Sequence, residues 1–125
     1  MARRSGIEVF VCGCSEIRLL AWIQSRLGTL IGPQGAGDAL VYGSPCGPVI
    51  ITLRVEDGPF TGVWFNTTRT PWDTDVDCAR DAARELGCVL RCDPGVTVGT
   101  APRVASAFLE IAGANERLVD WHPGR

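Results

Sequence analysis

The apolar residues near the start of the chain follow first a strand-like and then a helical spacing. Ile7–Val11 consists of β-branched and aromatic residues except for one glutamate, which is typical of a short strand. Ser15 then precedes EIRLLAWIQSRL, whose apolar residues recur at helical spacing, and Gly28 follows it. Because serine is a common N-cap and glycine a common C-terminal residue of helices, this pattern predicts a strand followed by a helix.

The next part of the chain predicts two strands separated by turns. Gly32–Gly37 reads GPQGAG and has turn composition without periodicity, so we interpret it as a surface loop. It is not interpreted as a phosphate-binding loop, because such loops follow a strand and begin a helix, whereas this segment follows the helix. Leu40–Tyr42 and Val49–Val55 are the predicted strands, and SPCGP forms the turn between them.

The segment from Thr61 to Cys92 predicts a strand, a turn, a helix and a further strand. An Asp-Gly-Pro turn at 57–59 predicts a hairpin between Val49–Val55 and the strand that begins at Thr61. Asp73 or Thr74 caps the helix, and Gly87 ends it. Its buried face is predicted from apolar residues at helical spacing, namely Val76, Ala79, Ala83 and Leu86.

The last part of the chain allows two interpretations. Val104, Phe108 and Ile111 have the spacing of a helix. However, FLEI and RLVDW flank the turn-like sequence GANE, which favours a terminal β-hairpin. We predict the hairpin.

Together these elements predict an α+β fold in a single domain that spans residues 1–125, since this length suits one domain. The expected architecture is a mainly antiparallel, or mixed, sheet with two helices packed on one face. We expect a ferredoxin-like split βαβ core with an added C-terminal β-hairpin. This fold hosts many unrelated functions, so it does not by itself indicate one.

Composition and charge narrow the class of protein. The chain is 46% hydrophobic with a net charge of −2, so it has no broad attraction for phosphate backbones and we expect no nucleic-acid partner. Its positive residues are all arginines, which excludes lysine Schiff-base chemistry. No stretch reaches the roughly 18 uninterrupted apolar residues of a membrane span, and the N-terminus makes a poor signal peptide. We therefore expect a cytoplasmic, bacterial protein whose six cysteines are reduced.

Four cysteines could lie close together if the first and last core strands are neighbours. Cys12 and Cys14 follow the first strand, and Cys88 and Cys92 delimit the last core strand. Such thiols could form a zinc site or redox-active pairs. Neither spacing is that of a usual zinc motif, and free cysteines are commonly buried core residues. We therefore predict no metal and no cofactor, with the four-cysteine site as the alternative.

Catalytic signatures are absent from the sequence. His122, the only histidine, lies two residues from Asp120, but it is close to the end of the chain, where a base is rarely held in place. No nucleophile elbow, HExxH, CxxC or Walker motif occurs. A non-catalytic protein is therefore favoured over an enzyme.

Acidic residues concentrate at the start of the second helix. An acidic helix face can capture a basic partner protein. In this chain, however, several of these residues occupy cap and helix-dipole positions, and Arg80 and Arg84 offset others. The candidate partner-binding residues in this group are Asp73, Asp75, Asp77 and Asp81.

A second candidate binding surface contains tryptophan. In the predicted strand VWFN, Val63 and Phe65 share one face and Trp64 the other. If the helices cover Val63 and Phe65, Trp64 lies on the opposite, open face; the converse arrangement is equally compatible with the sequence. Exposed aromatic patches mark interfaces. The candidate residues here are Trp64, Asn66, Thr68 and Trp72.

The leading hypothesis is a small non-catalytic protein that binds another protein through an open sheet face or an acidic helix. In size, acidity and lack of catalytic signatures it is similar in physical type to immunity proteins that neutralise toxins and to small phage-encoded inhibitors. One alternative is a thiol-dependent enzyme or a domain that binds a small ligand or metal. The other is a homodimer in which the open sheet face forms the dimer interface.

Overall fold

A computed structural model describes residues 6–35, 37–95 and 106–123. These residues form two helices and a single sheet of eight strands. In chain order the elements are β1 (Ile7–Cys12), α1 (Glu16–Leu27), β2 (Ile31–Gln34), β3 (Ala39–Gly43), β4 (Val49–Thr52), β5 (Phe60–Phe65), α2 (Asp75–Leu86), β6 (Val89–Cys92), β7 (Ala107–Ala112) and β8 (Asn115–Asp120).

The strands lie in the order β2-β3-β4-β5-β1-β6-β7-β8. Every pairing among them is antiparallel. β1 lies between β5 and β6, so that Val9 is opposite both Val63 and Cys92. The chain passes from β5 to β6 through α2. The predicted α+β class is thus confirmed, with a sheet that is antiparallel rather than mixed.

Local capping signals set the bounds of both helices. The Ser15 side chain accepts a hydrogen bond from the backbone N–H of Arg18, and the N–H of Gly28 donates to the carbonyl of Gln24. In α2 the cap is Thr74, whose side chain accepts from the N–H of Asp77. Gly87 ends this helix in a left-handed conformation with φ of 67°.

The sheet has a large core on one face and a small one on the other. Alternate residues of β1, Ile7, Val9 and Val11, pack with apolar residues of both helices in the large cluster. Phe10 points to the opposite face, where it packs with Val55 and Phe60. Both helices therefore cover one face of the sheet, which we call the helix face; the other is the helix-free face.

Two strand predictions are wrong in detail. The segment predicted as the loop Gly32–Gly37 begins within β2, where Ile31 lies opposite Gly43 and Gln34 opposite Val41. Pairing with β3 here overrides the turn propensity of glycine and proline. The strand predicted as Val49–Val55 ends at Thr52, since Arg54 and Glu56 adopt left-handed conformations (φ 49° and 54°) around a 3₁₀ turn.

The predicted C-terminal hairpin is confirmed. β7 and β8 pair from Ala107 opposite Asp120 to Ala112 opposite Asn115, and Gly113 in the connection has φ of 62°. Val104, which supported the alternative helix, lies outside the described residues. Within 6–35, 37–95 and 106–123, no helix has the length and apolarity needed to span a membrane.

Candidate functional site

A row of side chains crosses four adjacent strands on the helix-free face. Val41 lies opposite Ile50, Ile50 opposite Trp64, and Trp64 opposite Glu8. Directly opposite residues in antiparallel strands point to the same side of the sheet. Since Phe65 and Val63 belong to the helix-face core, Trp64 between them must point to the helix-free face. We call Val41, Ile50, Trp64 and Glu8 the Trp64 row.

The apolar members of the Trp64 row belong to neither core cluster. Val41 is 42% exposed, and Ile50 and Trp64 are half-buried. At the neighbouring sheet edge, Ile31 is 76% exposed. These side chains therefore form a partly exposed apolar surface at this side of the sheet.

A shallow groove adjoins the row and shares Val41 with it. Its volume is about 470 Å³, and its lining is mainly apolar and includes Ile31, Gly43 and Pro48, with Gln34 as a polar member. Gly43 has no side chain, so backbone is accessible between the apolar side chains of the groove. The row and the groove share Val41 and together extend over β2, β3, β4, β5 and β1.

Aromatic rings close another part of the helix-free face, around the end of β1 and the start of β5. The ring of Trp121 lies 5.0 Å from Phe10, 4.9 Å from Phe60 and 5.2 Å from Phe108, measured between centroids. The guanidinium of Arg91 lies 4.6 Å from the ring centroid of Phe60. This half of the face is therefore a closed secondary core.

A buried carboxylate completes the sealed half. Glu110 is 8% exposed, and its Oε2 accepts hydrogen bonds from Arg91 Nε (2.9 Å) and Nη2 (2.7 Å). Its Oε1 accepts from Arg117 Nε at 3.1 Å. These bonds, first that from Arg91, hold the pKa of Glu110 below its usual range. Sequence reasoning missed this cluster, since it appears only when strand register places the three residues side by side.

Trp72 does not join Trp64. Its ring stacks on Trp22 with centroids 5.4 Å apart and lies 5.1 Å from Phe65, so it packs against the helix-face core. Its Nε1 donates a hydrogen bond to Asp81 at 2.9 Å. Of the predicted aromatic candidates, Trp64 alone lies in the row.

The predicted residues Asn66 and Thr68 follow β5. The N–H of Asn66 donates to the carbonyl of Pro48 at 3.0 Å, and its side chain is half-buried. Thr68 is exposed. The structure thus places both at the end of the strand that carries Trp64.

The acidic residues of α2 divide into buried and exposed members. Asp81 is 8% exposed and accepts hydrogen bonds from Arg26 Nε (2.7 Å) and Nη2 (2.8 Å). The bond from Arg26 is the main reason why the pKa of Asp81 lies below its usual range. Asp75 is also buried, whereas Asp73 and Asp77 are exposed. Two of the four predicted acidic candidates are therefore largely inaccessible to a partner.

The cysteines do not converge as the four-thiol alternative required. Cys12 packs against the small cluster on the helix-free face, whereas Cys92 lies in the helix-face core. The reason is strand parity: Cys92 is opposite Val9, which is three residues before Cys12 and hence points to the other side. Cys14 and Cys88 instead lie outside the strands, and both pack against the helix-face core.

The cysteines and the Asp120–His122 pair are the side chains that the sequence offered for metal binding or catalysis. All six cysteines are free. Among the residues that the structure describes, no group of three or more histidine, cysteine, aspartate or glutamate side chains is arranged to hold a metal ion. The side chains of His122 and Asp120 are 78% and 76% exposed, with Nε2 and Oδ1 3.6 Å apart, so they lie at the surface and not in a pocket.

The surface formed by the row and the groove thus combines apolar side chains in register, one half-buried tryptophan and an adjoining groove. No protein-family model, curated protein or solved structure matches the chain.

Proposed function

We propose that this chain is a non-catalytic interaction protein that binds another protein through the Trp64 row and the adjoining groove. The observation that carries the proposal is the division of the helix-free face. Trp121 and the Arg91–Glu110 pair close one half, while Val41, Ile50 and Trp64 in the other half belong to neither core cluster. Tryptophan is among the residue types that contribute most binding energy at protein interfaces.

The row is favoured over the acidic helix as the binding surface. Asp81 is already engaged by Arg26 and Trp72, and Arg80 of the same helix pairs with Glu116 at 2.8 Å. A charge that is satisfied within the chain offers little to a partner, since its internal bonds would have to be broken first. Only Asp73 and Asp77 remain exposed on this surface among the four candidates.

The experiment compares binding by matched surface variants. Tagged wild-type protein, Trp64→Ala, the double variant Asp73→Asn/Asp77→Asn and the control Ile17→Ser are used to recover partners from cells of the source organism, with quantitative mass spectrometry. Ile17 is 82% exposed on α1, and the strand residues of the row lie on the other side of the sheet. Far-UV circular dichroism first establishes that each variant is folded.

We expect a partner whose recovery falls at least about tenfold with Trp64→Ala, as for a central interface residue. Recovery should be unchanged with Ile17→Ser and with the aspartate variant. Equal recovery by Trp64→Ala and wild type would refute the proposal, and loss only in the aspartate variant would assign binding to the helix. A doubled mass in light scattering that Trp64→Ala abolishes would make the row a homodimer interface.

Three finer properties are part of the same proposal. The order β4-β5-β1-β6, with α2 joining β5 to β6, supports a ferredoxin-like split βαβ core extended by β2–β3 and by the C-terminal hairpin. Six free cysteines support a reducing, cytoplasmic location, and a bacterial source is part of the proposal. Within that setting we assign the chain to inhibitors of the immunity or phage type, for which a toxin-like gene beside its own would be the genetic test.

A further inference from the structure

The outer edge of β8 is a regular strand edge. Its six residues pair with β7 without a register shift, and within 6–35, 37–95 and 106–123 no strand lies beyond it in the sheet. Five of the six residues are exposed, and Val119 is half-buried. At the opposite edge, β2 contains Pro33 and a register shift, which hinder the addition of another strand. Of the two sheet edges, the edge of β8 is therefore the one that is open to strand addition.

The hydrogen bonds of the hairpin determine which residues of β8 face outward. The N–H of Trp121 donates to the carbonyl of Ser106 at 2.9 Å, so these two residues form a hydrogen-bonded pair. In an antiparallel ladder such pairs alternate with pairs whose backbone groups point away from each other. Glu116, Leu118 and Asp120 lie an odd number of residues before Trp121. Their N–H and C=O groups therefore point to the outer side of β8.

The same three residues place their side chains on the helix face. Leu118 lies opposite Leu109, which belongs to the large core cluster, yet Leu118 itself is 53% exposed. Glu116 and Asp120 are two residues before and after it and so share its side of the sheet. The outer edge of β8 therefore presents an acidic, an apolar and an acidic side chain in succession.

The two acidic side chains differ in how far they are satisfied within the chain. Both carboxylate oxygens of Glu116 accept hydrogen bonds from Arg80, at 2.8 and 2.9 Å. The Asp120 side chain is 76% exposed, and its Oδ1 lies 3.6 Å from Nε2 of His122, which is equally exposed. Asp120 is therefore the more accessible of the two to a basic side chain of a partner.

A second copy of this chain fits the edge poorly. An antiparallel pairing of two β8 strands that uses all three outward residues is centred on Leu118. It sets Glu116 opposite Asp120 of the second copy, on the same face of the sheet. Like charges that lie directly opposite each other are destabilising. The charge pattern thus disfavours self-pairing and favours a strand that carries a basic residue.

We propose that the outer edge of β8 binds an extended segment of a partner protein as an additional, antiparallel strand. The segment has an apolar residue opposite Leu118 and, two residues before it, a basic residue opposite Asp120. Backbone hydrogen bonds to the outward groups supply affinity, and the two side-chain positions supply specificity. β8 is separated from the Trp64 row by β6 and β7, so this site does not depend on the function proposed for the row.

The probe is a fluorescein-labelled peptide of sequence TKTVTTT, whose lysine and valine share one side of an extended strand. Its matched control, TTKVTTT, has the same composition but turns the lysine to the other side. Two further probes carry one backbone N-methyl group, either on the valine, whose N–H would face β8, or on the threonine after it, whose N–H would point away. Fluorescence anisotropy measures binding of each peptide to the full chain at low salt.

We expect TKTVTTT to bind, and the shifted lysine or the N-methyl group on valine to weaken binding at least about tenfold. The N-methyl group on threonine should have little effect. Leu118→Pro removes an outward N–H but no hydrogen bond to β7, so it should abolish binding, whereas Ile17→Ser on α1 should not change it. If Leu118→Pro does not fold by far-UV circular dichroism, Asp120→Lys serves in its place.

Four results would each overturn the proposal. They are no binding of TKTVTTT up to about 1 mM chain, equal binding of the two sequences, equal effects of the two N-methyl groups, and loss of binding in Trp64→Ala, which would assign the peptide to the Trp64 row.

Discussion

Replacing Asp81 by asparagine tests whether this acidic residue stabilises the fold or is available to a partner. The carboxylate accepts two hydrogen bonds from Arg26 and one from Trp72, at 2.7 to 2.9 Å, and its side chain is 11% exposed. Asparagine keeps the shape but removes the charge and turns one acceptor into a donor that faces the guanidinium. Hydrogen bonds to charged groups contribute about 1.5–3 kcal/mol each.

The expected loss of stability in Asp81→Asn is about that of a single hydrogen bond to a charged group. Asparagine retains one acceptor oxygen, and the Arg26 side chain is 28% exposed, so water partly replaces what is lost. We therefore expect Asp81→Asn to lower the free energy of unfolding by about 2–3 kcal/mol. Urea denaturation at pH 7, followed by far-UV circular dichroism, measures this change without relying on the tryptophans that the substitution disturbs.

Glu85 supplies the matched control, because it belongs to the same helix and faces the same arginine. Its carboxylate lies 3.6 Å from Arg26 Nη2 and its side chain is 50% exposed. Exposed pairs of this kind contribute about 0–1 kcal/mol, so Glu85→Gln should be nearly neutral. A loss below about 0.5 kcal/mol for Asp81→Asn, or equal losses for the two variants, would refute the assignment of Asp81 to the fold.

The pH dependence of the same comparison has a defined sign. The pKa of Asp81 is lowered in the folded protein, so its contribution to stability is complete above the unfolded value of 3.8. It is lost as pH falls through the lowered, folded pKa. The difference between wild type and Asp81→Asn should therefore shrink below pH 3.8 and stay constant between pH 5 and 7.

Three further outcomes are expected. The pKa of Glu110 is lowered from 4.5 by its two arginine partners, so the free energy of unfolding of the wild type should decrease as pH falls below 4.5. This decrease should be smaller in Glu110→Gln, measured by urea denaturation. Gly47→Ala should cost about 1–3 kcal/mol, since φ is +136° and the new Cβ would lie 2.7 Å from Cβ of Thr67; an unchanged melting temperature would contradict this. Phe10→Ala should cost about 3–5 kcal/mol by removing the centre of the aromatic core on the helix-free face, and should shift the fluorescence of Trp121 toward that of water-exposed indole.

The helices could be predicted from sequence because their signals are local. Ser15 and Gly28 bound α1, and Thr74 and Gly87 bound α2, each within one turn of the helix it ends. The hairpin of β7 and β8 was likewise readable from two apolar runs around a short turn. Such features depend on contacts between residues close in sequence.

β2 could not be predicted, because its identity depends on a partner strand. Its four residues include Gly32 and Pro33, which are typical of turns, and all four are exposed, so no alternation appears. The hydrogen bonds to β3 decide the conformation. A strand at the edge of a sheet with little burial leaves no pattern in its own sequence.

The sequence predicted Trp64 as a member of the candidate site but not the side chains beside it. Val63, Trp64 and Phe65 are all apolar, so the sequence left open which face of β5 the helices cover. The side chains that accompany Trp64, which are Val41 and Ile50, follow only from the register of three strands. The alternative of four converging thiols is not realised, because Cys12 and Cys92 point to opposite faces of the sheet. Cys14 and Cys88 lie beyond the strand ends, where alternation no longer holds.

The position of β1 has a consequence for how the chain acquires its structure during synthesis. This first strand has no neighbour from nearby sequence: Val9 is opposite Val63 and Cys92, and the ring of Phe10 packs against Trp121. A chain emerging from the ribosome must therefore keep the apolar strand β1 unpaired until both flanking strands have been made. A topology dominated by such distant pairings slows folding. We expect aggregation during expression to increase with the time between the synthesis of β1 and the synthesis of its partner strands.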